Sequence, residues 1–96
     1  MNRPRILVAR AIFPEVIERL QQHFDVESNP EDVLWSKTQM TEKLRDKVGV
    51  FTTGGERIDA EVLAGCPHSK ICANMAVGYN NFDLDAMTAA RVLGTN

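Results

Sequence analysis

Short apolar runs alternate with amphipathic segments along the whole chain, and this alternation narrows the possible folds more than any other feature. Arg5-Ile6-Leu7-Val8-Ala9 is a compact apolar run of the kind that forms a buried strand. Pro14 then opens a helix, at the one turn where its missing N–H does no harm. Val16, Ile17, Leu20 and Phe24 follow at helical spacing, with Glu15, Glu18, Arg19, Gln21 and Gln22 on the other face. Asp25-Val26-Glu27-Ser28 is a short polar strand suited to a sheet edge, and Asn29-Pro30 marks a turn. Ser36-Lys37-Thr38-Gln39 fits a capping box with Ser36 as N-cap, and Met40 and Leu44 form an apolar pair one turn apart. Val48-Gly49-Val50-Phe51-Thr52 is the third strand. Asp59 caps a short helix running through Ala64, with Gly65 placed to end it. Lys70-Ile71-Cys72-Ala73-Asn74 is the fourth strand. Asp83 caps a helix that buries Leu84 and Met87, with Val92 a further candidate, and Val92-Leu93-Gly94-Thr95 starts a fifth strand.

Strand–helix alternation of this kind predicts an α/β fold with right-handed crossovers. The short, polar second strand suits the edge of a flavodoxin-like three-layer sandwich, with a parallel sheet of four to five strands in the order 2-1-3-4-5. The 96 residues suffice for one small domain, residues 1–96. Ligands of such sheets bind outside the carboxyl ends of the strands. Those ends carry three loops: Arg10 to Phe13, Thr53 to Arg57, and Met75 to Asn81.

With 11 Lys+Arg against 13 Asp+Glu, the formal charge is −2 and no basic stripe occurs, which argues against nucleic acid and anionic membrane as partners. No apolar run approaches the roughly 20 residues of a membrane helix. The run after Met1-Asn2-Arg3-Pro4-Arg5 is too short for a signal-peptide core, so a cytoplasmic protein is expected. Cys66 and Cys72 lack the spacing and company of a metal site and are expected to be reduced and structural. His23 and His68 have no carboxylate or nucleophile at a telling spacing, so neither is expected to be catalytic. Trp35 is expected to pack just before its helix, and Tyr79 to cover its loop.

Met75-Ala76-Val77-Gly78-Tyr79-Asn80-Asn81-Phe82-Asp83 is the most informative segment. Gly78 lets backbone N–H groups turn towards a small anion, and Asn and Asp at 80, 81 and 83 can satisfy loop and helix-start amides. An ordinary strand–loop–helix connection would use the same residues. Thr53-Gly54-Gly55 can likewise present amides to an anion, although the phosphate-loop spacing is absent. No Gly-x-Gly-x-x-Gly dinucleotide fingerprint occurs anywhere in the chain. Arg10 and Arg57 stand near strand ends, where each can meet a carboxylate ligand or pair with a nearby acid such as Glu56 or Glu15.

The segment from Asn74 to Ala86 resembles the corresponding stretch of the D-isomer-specific 2-hydroxyacid dehydrogenases, above all their glyoxylate/hydroxypyruvate reductase branch. The opening Ile6-Leu7-Val8-Ala9-Arg10 followed by Pro14, and the Leu93-Gly94-Thr95-Asn96 end, resemble that family too. The resemblance implies a two-domain oxidoreductase, dimeric and using NAD or NADP. Of this enzyme the chain matches only the N-terminal segment of the catalytic domain; the Rossmann cofactor domain and the C-terminal helix that returns to this domain have no match here. It further implies that the amides of Val77 and Gly78 hold the substrate carboxylate, that Thr53 and Gly54 border the substrate, and that Asn81 and Asp83 shape the junction with the cofactor domain. No residue matches the family's catalytic Arg, Glu or His. The chain alone is therefore expected to bind no cofactor and no metal, to be inactive, and to self-associate. Its partner in the full-length setting would be a small 2-keto or 2-hydroxy acid.

The alternative is a free-standing flavodoxin-like binding or interaction module. A flavin site would need small hydroxyl and glycine residues where Arg10-Ala11-Ile12-Phe13 stands, and a phospho-acceptor would need an acid where Ala9 or Thr52 stands. In a full-length enzyme of the resembled type, Gly78→Val would add a branched side chain where backbone approaches the ligand. KM for the keto acid is expected to rise and kcat/KM to fall about 10²-fold or more. Steady-state kinetics on the folded variant check this, and unchanged constants would move the carboxylate site elsewhere.

Overall fold

The protein, seen in a computed structural model that describes residues 3–53, 55–75 and 81–95, is a parallel sheet with helices on both sides. Its elements are β1 (Arg5–Val8), α1 (Pro14–Gln21), β2 (Asp25–Glu27), α2 (Lys37–Leu44), β3 (Gly49–Thr52), α3 (Ala60–Ala64), β4 (Ile71–Asn74), α4 (Leu84–Ala90) and β5 (Leu93–Thr95). The strands lie in the order β2-β1-β3-β4-β5, all neighbours parallel, as the alternation predicts.

Side-chain alternation divides the sheet into two faces. Leu7, Val50, Cys72 and Gly94 are in register across four strands and share one face. They meet Met40 and Leu44 of α2, Val62 and Leu63 of α3, and Met87 of α4 in one core cluster around Leu7, Val50 and Cys72. Gly94 suits this close packing. A Cβ there would stand 2.9 Å from Met87 Cε and 3.3 Å from the Phe82 ring, so a bare backbone lets α4 close onto β5.

Val26, Ile6, Gly49, Ile71 and Leu93 form the matching row on the opposite face. The crossover from β1 to β2 runs opposite to all later ones, so right-handed connection puts α1 on this second face. It covers only part of it. Ile6 and Val8 are buried, whereas Ile71 is 39% and Leu93 61% exposed.

Local signals account for the helix starts. Ser36 and Gln39 complete the capping box, and the carboxylates of Asp59 and Asp83 accept the amides of Val62 and Ala86. Two packing expectations are corrected. None of the α1 residues is fully buried, because this helix lies against a three-residue edge strand. Leu84 remains 48% exposed at the first position of α4, while Met87, one turn on, enters the core.

Among the described residues Lys47 is the largest wholly buried side chain, which its residue type does not suggest. Its ammonium donates to Lys43 O at 3.0 Å and Asp46 Oδ1 at 2.6 Å, and lies 3.1 Å from Glu27 Oε1. A lysine taken out of water needs such partners. Here they tie the end of α2 to β2. Trp35 packs against the core just ahead of α2, with Lys43 Nζ 4.8 Å from its ring centre. Both cysteines are free and buried. Burial pushes the Cys72 thiol up to about 12 and raises that of Cys66, so neither is poised as a thiolate. Among the described residues, no helix is long and apolar enough to cross a membrane.

Candidate functional site

Parallel strands end at one side of the sheet, and there the carboxyl ends of β1, β3 and β4 are neighbours. Ala9 N donates to Phe51 O at 2.9 Å and Met75 N to Thr52 O at 2.7 Å, which carries the ladder to the last strand residues. Beyond them, Ile58 and Phe82 form a parallel bridge. Ile58 N donates to Asn81 O, and Asp83 N donates to Ile58 O, each at 2.9 Å. The segments after β3 and before α4 are thus bonded to each other above the strand ends.

A buried polar network fixes them further. Asn74 Nδ2 donates to Asn81 Oδ1 at 2.9 Å. Asn81 Nδ2 donates to Glu56 O at 2.8 Å and lies 3.2 Å from Asn74 Oδ1. Thr52 Oγ1 donates to Asn74 Oδ1 at 2.7 Å. Glu56 folds back on its own loop and accepts the Thr53 N–H at 2.8 Å. Buried amides and carboxylates satisfied in this way hold a unique geometry, because any rearrangement strands a polar group away from water.

The cations at this end already have partners. Arg10 Nε and Nη2 donate to the two carboxylate oxygens of Asp32 at 2.8 and 3.0 Å, and Arg10 Nη1 lies 3.8 Å from Glu56 Oε1. Asp32 also accepts the Ala11 N–H at 2.9 Å and sits at φ +54°, a left-handed conformation that Asp tolerates better than most residues. Arg57 pairs with Asp59 at 3.7 Å rather than with Glu56, and Lys37 reaches Asp59 and Glu61, each at 2.9 Å. A cavity of about 200 Å³ opens between β1, the start of α2 and the loop after β3. Ala9, Trp35 and Met40 give its apolar wall, and Lys37, Glu56 and Arg57 its polar one.

Of the residues singled out from sequence, Val77, Gly78, Tyr79 and Gly54 lie outside the described residues. Thr53 stands at the end of β3, but its own amide is occupied by Glu56 and is not open to an anion. Asn81 joins two loops, and Asp83 caps α4. Arg10 and Arg57 take the acid-paired of their two readings. His23 and His68 are exposed and precede β2 and β4, at the opposite end of the sheet. No group of three His, Cys, Asp or Glu that could hold a metal occurs among the described residues. Sequence reasoning passed over Asp32 and gave no bonding role to Asn74. The available signal for Asp32 was an Asn-Pro turn followed by an acid, since turn Asp residues cap local amides and tolerate left-handed φ.

Residues 6–96 match the family model of the D-isomer specific 2-hydroxyacid dehydrogenase catalytic domain. The chain is similar to glyoxylate reductases of Thermococcus onnurineus and Thermococcus kodakarensis, with 40% and 39% identity over 94 residues. Each alignment covers 98% of this chain and 28% of the relative. It also resembles the crystal structure of an NADPH-dependent glyoxylate/hydroxypyruvate reductase from Sinorhizobium meliloti, in complex with NADP and malonate. That match has a TM-score of 0.73 at 27% identity and covers 99% of this chain and 28% of the other. The chain thus spans a little over a quarter of the length of these proteins.

The Arg10 guanidinium, and after it the Ala11 N–H, hold the Asp32 carboxyl at about 2, below its ordinary 3.8. A depressed carboxyl favours the fold above its unfolded value, and that contribution disappears as pH falls through the folded value. Acid titration of the chain between about pH 4 and pH 2 is therefore expected to erode stability less steeply in Asp32→Asn than in the wild type. Asparagine keeps the left-handed turn, so the difference isolates the charge. Parallel unfolding curves for the two proteins would mean that the ion pair contributes nothing.

Proposed function

The chain belongs to the D-isomer specific 2-hydroxyacid dehydrogenase family, and from that premise we propose that it is the substrate-side segment of an NAD(P)-dependent oxidoreductase reducing a small 2-keto acid, such as glyoxylate or hydroxypyruvate, to the 2-hydroxy acid. The observation that carries this reading is the family match over residues 6–96, on a fold whose crevice-forming loops gather at the carboxyl ends of β1, β3 and β4. The amides of Val77 and Gly78 hold the substrate carboxylate, Thr53 and Gly54 border the substrate, and Asn81 and Asp83 shape the junction with a cofactor domain. Two unpaired cysteines support a reducing, cytoplasmic setting.

The residues present do not fit a nicotinamide cofactor. The turn after β1 is Arg10-Ala11-Ile12-Phe13, without glycine, and the Asp32 carboxylate occupies the Ala11 N–H, placing negative charge where a pyrophosphate would lie. Hydride donor, orienting cation and proton donor then come from outside these 96 residues. This chain binds and orients the keto acid.

Titration of the isolated chain with NADH and NADPH is expected to show no saturable binding tighter than millimolar and no turnover of glyoxylate, while the full-length enzyme oxidises NADH or NADPH with glyoxylate or hydroxypyruvate. Tight binding to the chain, or a full-length enzyme inert towards every small 2-keto acid, would sink the proposal.

Self-association belongs to the same reading. Ile71 and Leu93 stand bare on the α1 face, and β5 ends the sheet as an open edge. A second copy covers both, through symmetric packing or exchange of a terminal element. Sedimentation equilibrium is expected to show dimer at high micromolar concentration, and a strictly monomeric, cooperatively folded species would refute it.

A further inference from the structure

Glu56 is only 8% exposed, although it sits in a glycine-rich surface loop. Few surface-loop glutamates are buried, and burial of a carboxylate is unfavourable unless its oxygens are satisfied. Here one oxygen accepts the Thr53 N–H at 2.8 Å, and both lie 3.4 Å from Thr53 Oγ1. The carboxylate faces Arg10 Nη1 at 3.8 Å. The remaining guanidinium nitrogens of Arg10 are bonded to Asp32, so the arginine is fixed from behind. The backbone carbonyl of Glu56 accepts Asn81 Nδ2 at 2.8 Å, and Asn81 is paired in turn with Asn74. One residue therefore joins the loop after β1, the loop after β3 and the entry to α4.

We infer that Glu56 is a positioning residue, which binds these three loops into one body and so sets where Thr53 stands relative to Asn81. The inference rests on the proposed function only for the claim that a keto acid lies against these loops. Its physical content is that a hydrogen bond accepted by the Glu56 side chain replaces loop flexibility with a fixed Thr53 amide. A loop held in advance does not have to be ordered by the ligand, so the effect belongs in substrate binding rather than in the chemical step. Glutamine tests the assignment well. Its carbonyl oxygen can still accept the Thr53 N–H, whereas alanine leaves that amide without a partner.

Two measurements decide it. In the 96-residue chain, amide hydrogen exchange at Thr53 is expected to be slow in the wild type and about tenfold or more faster in Glu56→Ala, with Leu7 and Val50 unchanged. In the full-length enzyme, Glu56→Ala is expected to raise KM for glyoxylate about tenfold with kcat within about twofold, and Glu56→Gln to stay within about threefold of wild type on both. Fast Thr53 exchange in the wild-type chain overturns the inference even if the alanine variant fails to fold. So does an unmoved KM, or an equal loss in the alanine and glutamine variants. Turnover by the unmutated full-length enzyme tests the functional reading separately, so the two can fail independently.

Discussion

The rest of the structure depends on one strand being shut off from water on both faces. Leu7 and Val8 are neighbours in β1, point to opposite sides and are both 0% exposed. Such a strand has to be apolar throughout and paired along both edges, and β2 and β3 supply the two edges. Chain connectivity then has to run one way from β1 to β2 and the other way from there to β3, β4 and β5. Right-handed crossovers convert that reversal into three layers, with α1 on one face and α2, α3 and α4 on the other. The same reversal sends the connections that follow β1 and β3 to opposite faces of the sheet, and ligands of such sheets bind at a switch point of this kind. The location of the candidate site thus follows from burying β1.

What sequence made legible was whatever is settled within a few residues. Strands were readable because apolar runs of four or five residues bounded by turns have few other uses. Helix starts were readable because Ser36, Asp59 and Asp83 each satisfy an amide three residues ahead. Contacts distant in sequence were not readable. Lys47 reads as a solvated lysine, and its burial depends on Glu27 of β2 approaching an ammonium already bonded to Lys43 O and Asp46. Leu84 reads as a core residue by its type, yet its place in the first turn of α4 leaves it near water. The weak burial of α1 has the same origin, since an amphipathic stripe reports a preference for a surface and not the breadth of the surface available.

The candidate site was legible as a set of loops and illegible as a set of bonds. Thr53 and Asn81 were identifiable from their place after β3 and before α4. Their partners, Glu56 and Asn74, stand one loop turn and one strand end away, and nothing in local pattern distinguishes a glutamate that folds back onto an amide from one that reaches an arginine. Asp32 was hidden for a further reason. Its bidentate grip on Arg10 joins residues 22 positions apart, so it exists only where the loops after β1 and β2 lie side by side. Polar networks of this type are read from a finished fold, because each member is placed by a different element.

The charge balance of these loops bears on how a keto acid could be held. Among the described residues each cation at the carboxyl end faces an acid: Arg10 with Asp32 and Glu56, Arg57 with Asp59, Lys37 with Asp59 and Glu61. An incoming carboxylate that sought one of these cations would have to displace a built-in carboxylate of equal charge. Backbone N–H dipoles carry no counter-ion to displace, so anchoring by the amides proposed at Val77 and Gly78 meets no such competition. Neutral anchoring has a second effect. It leaves these loops without a strong pull of their own, so on the proposed function a cation brought from outside this chain would dominate the field on the substrate. On the proposed function such a cation would orient the keto acid, and the bonded loops of this chain would limit how closely it approaches.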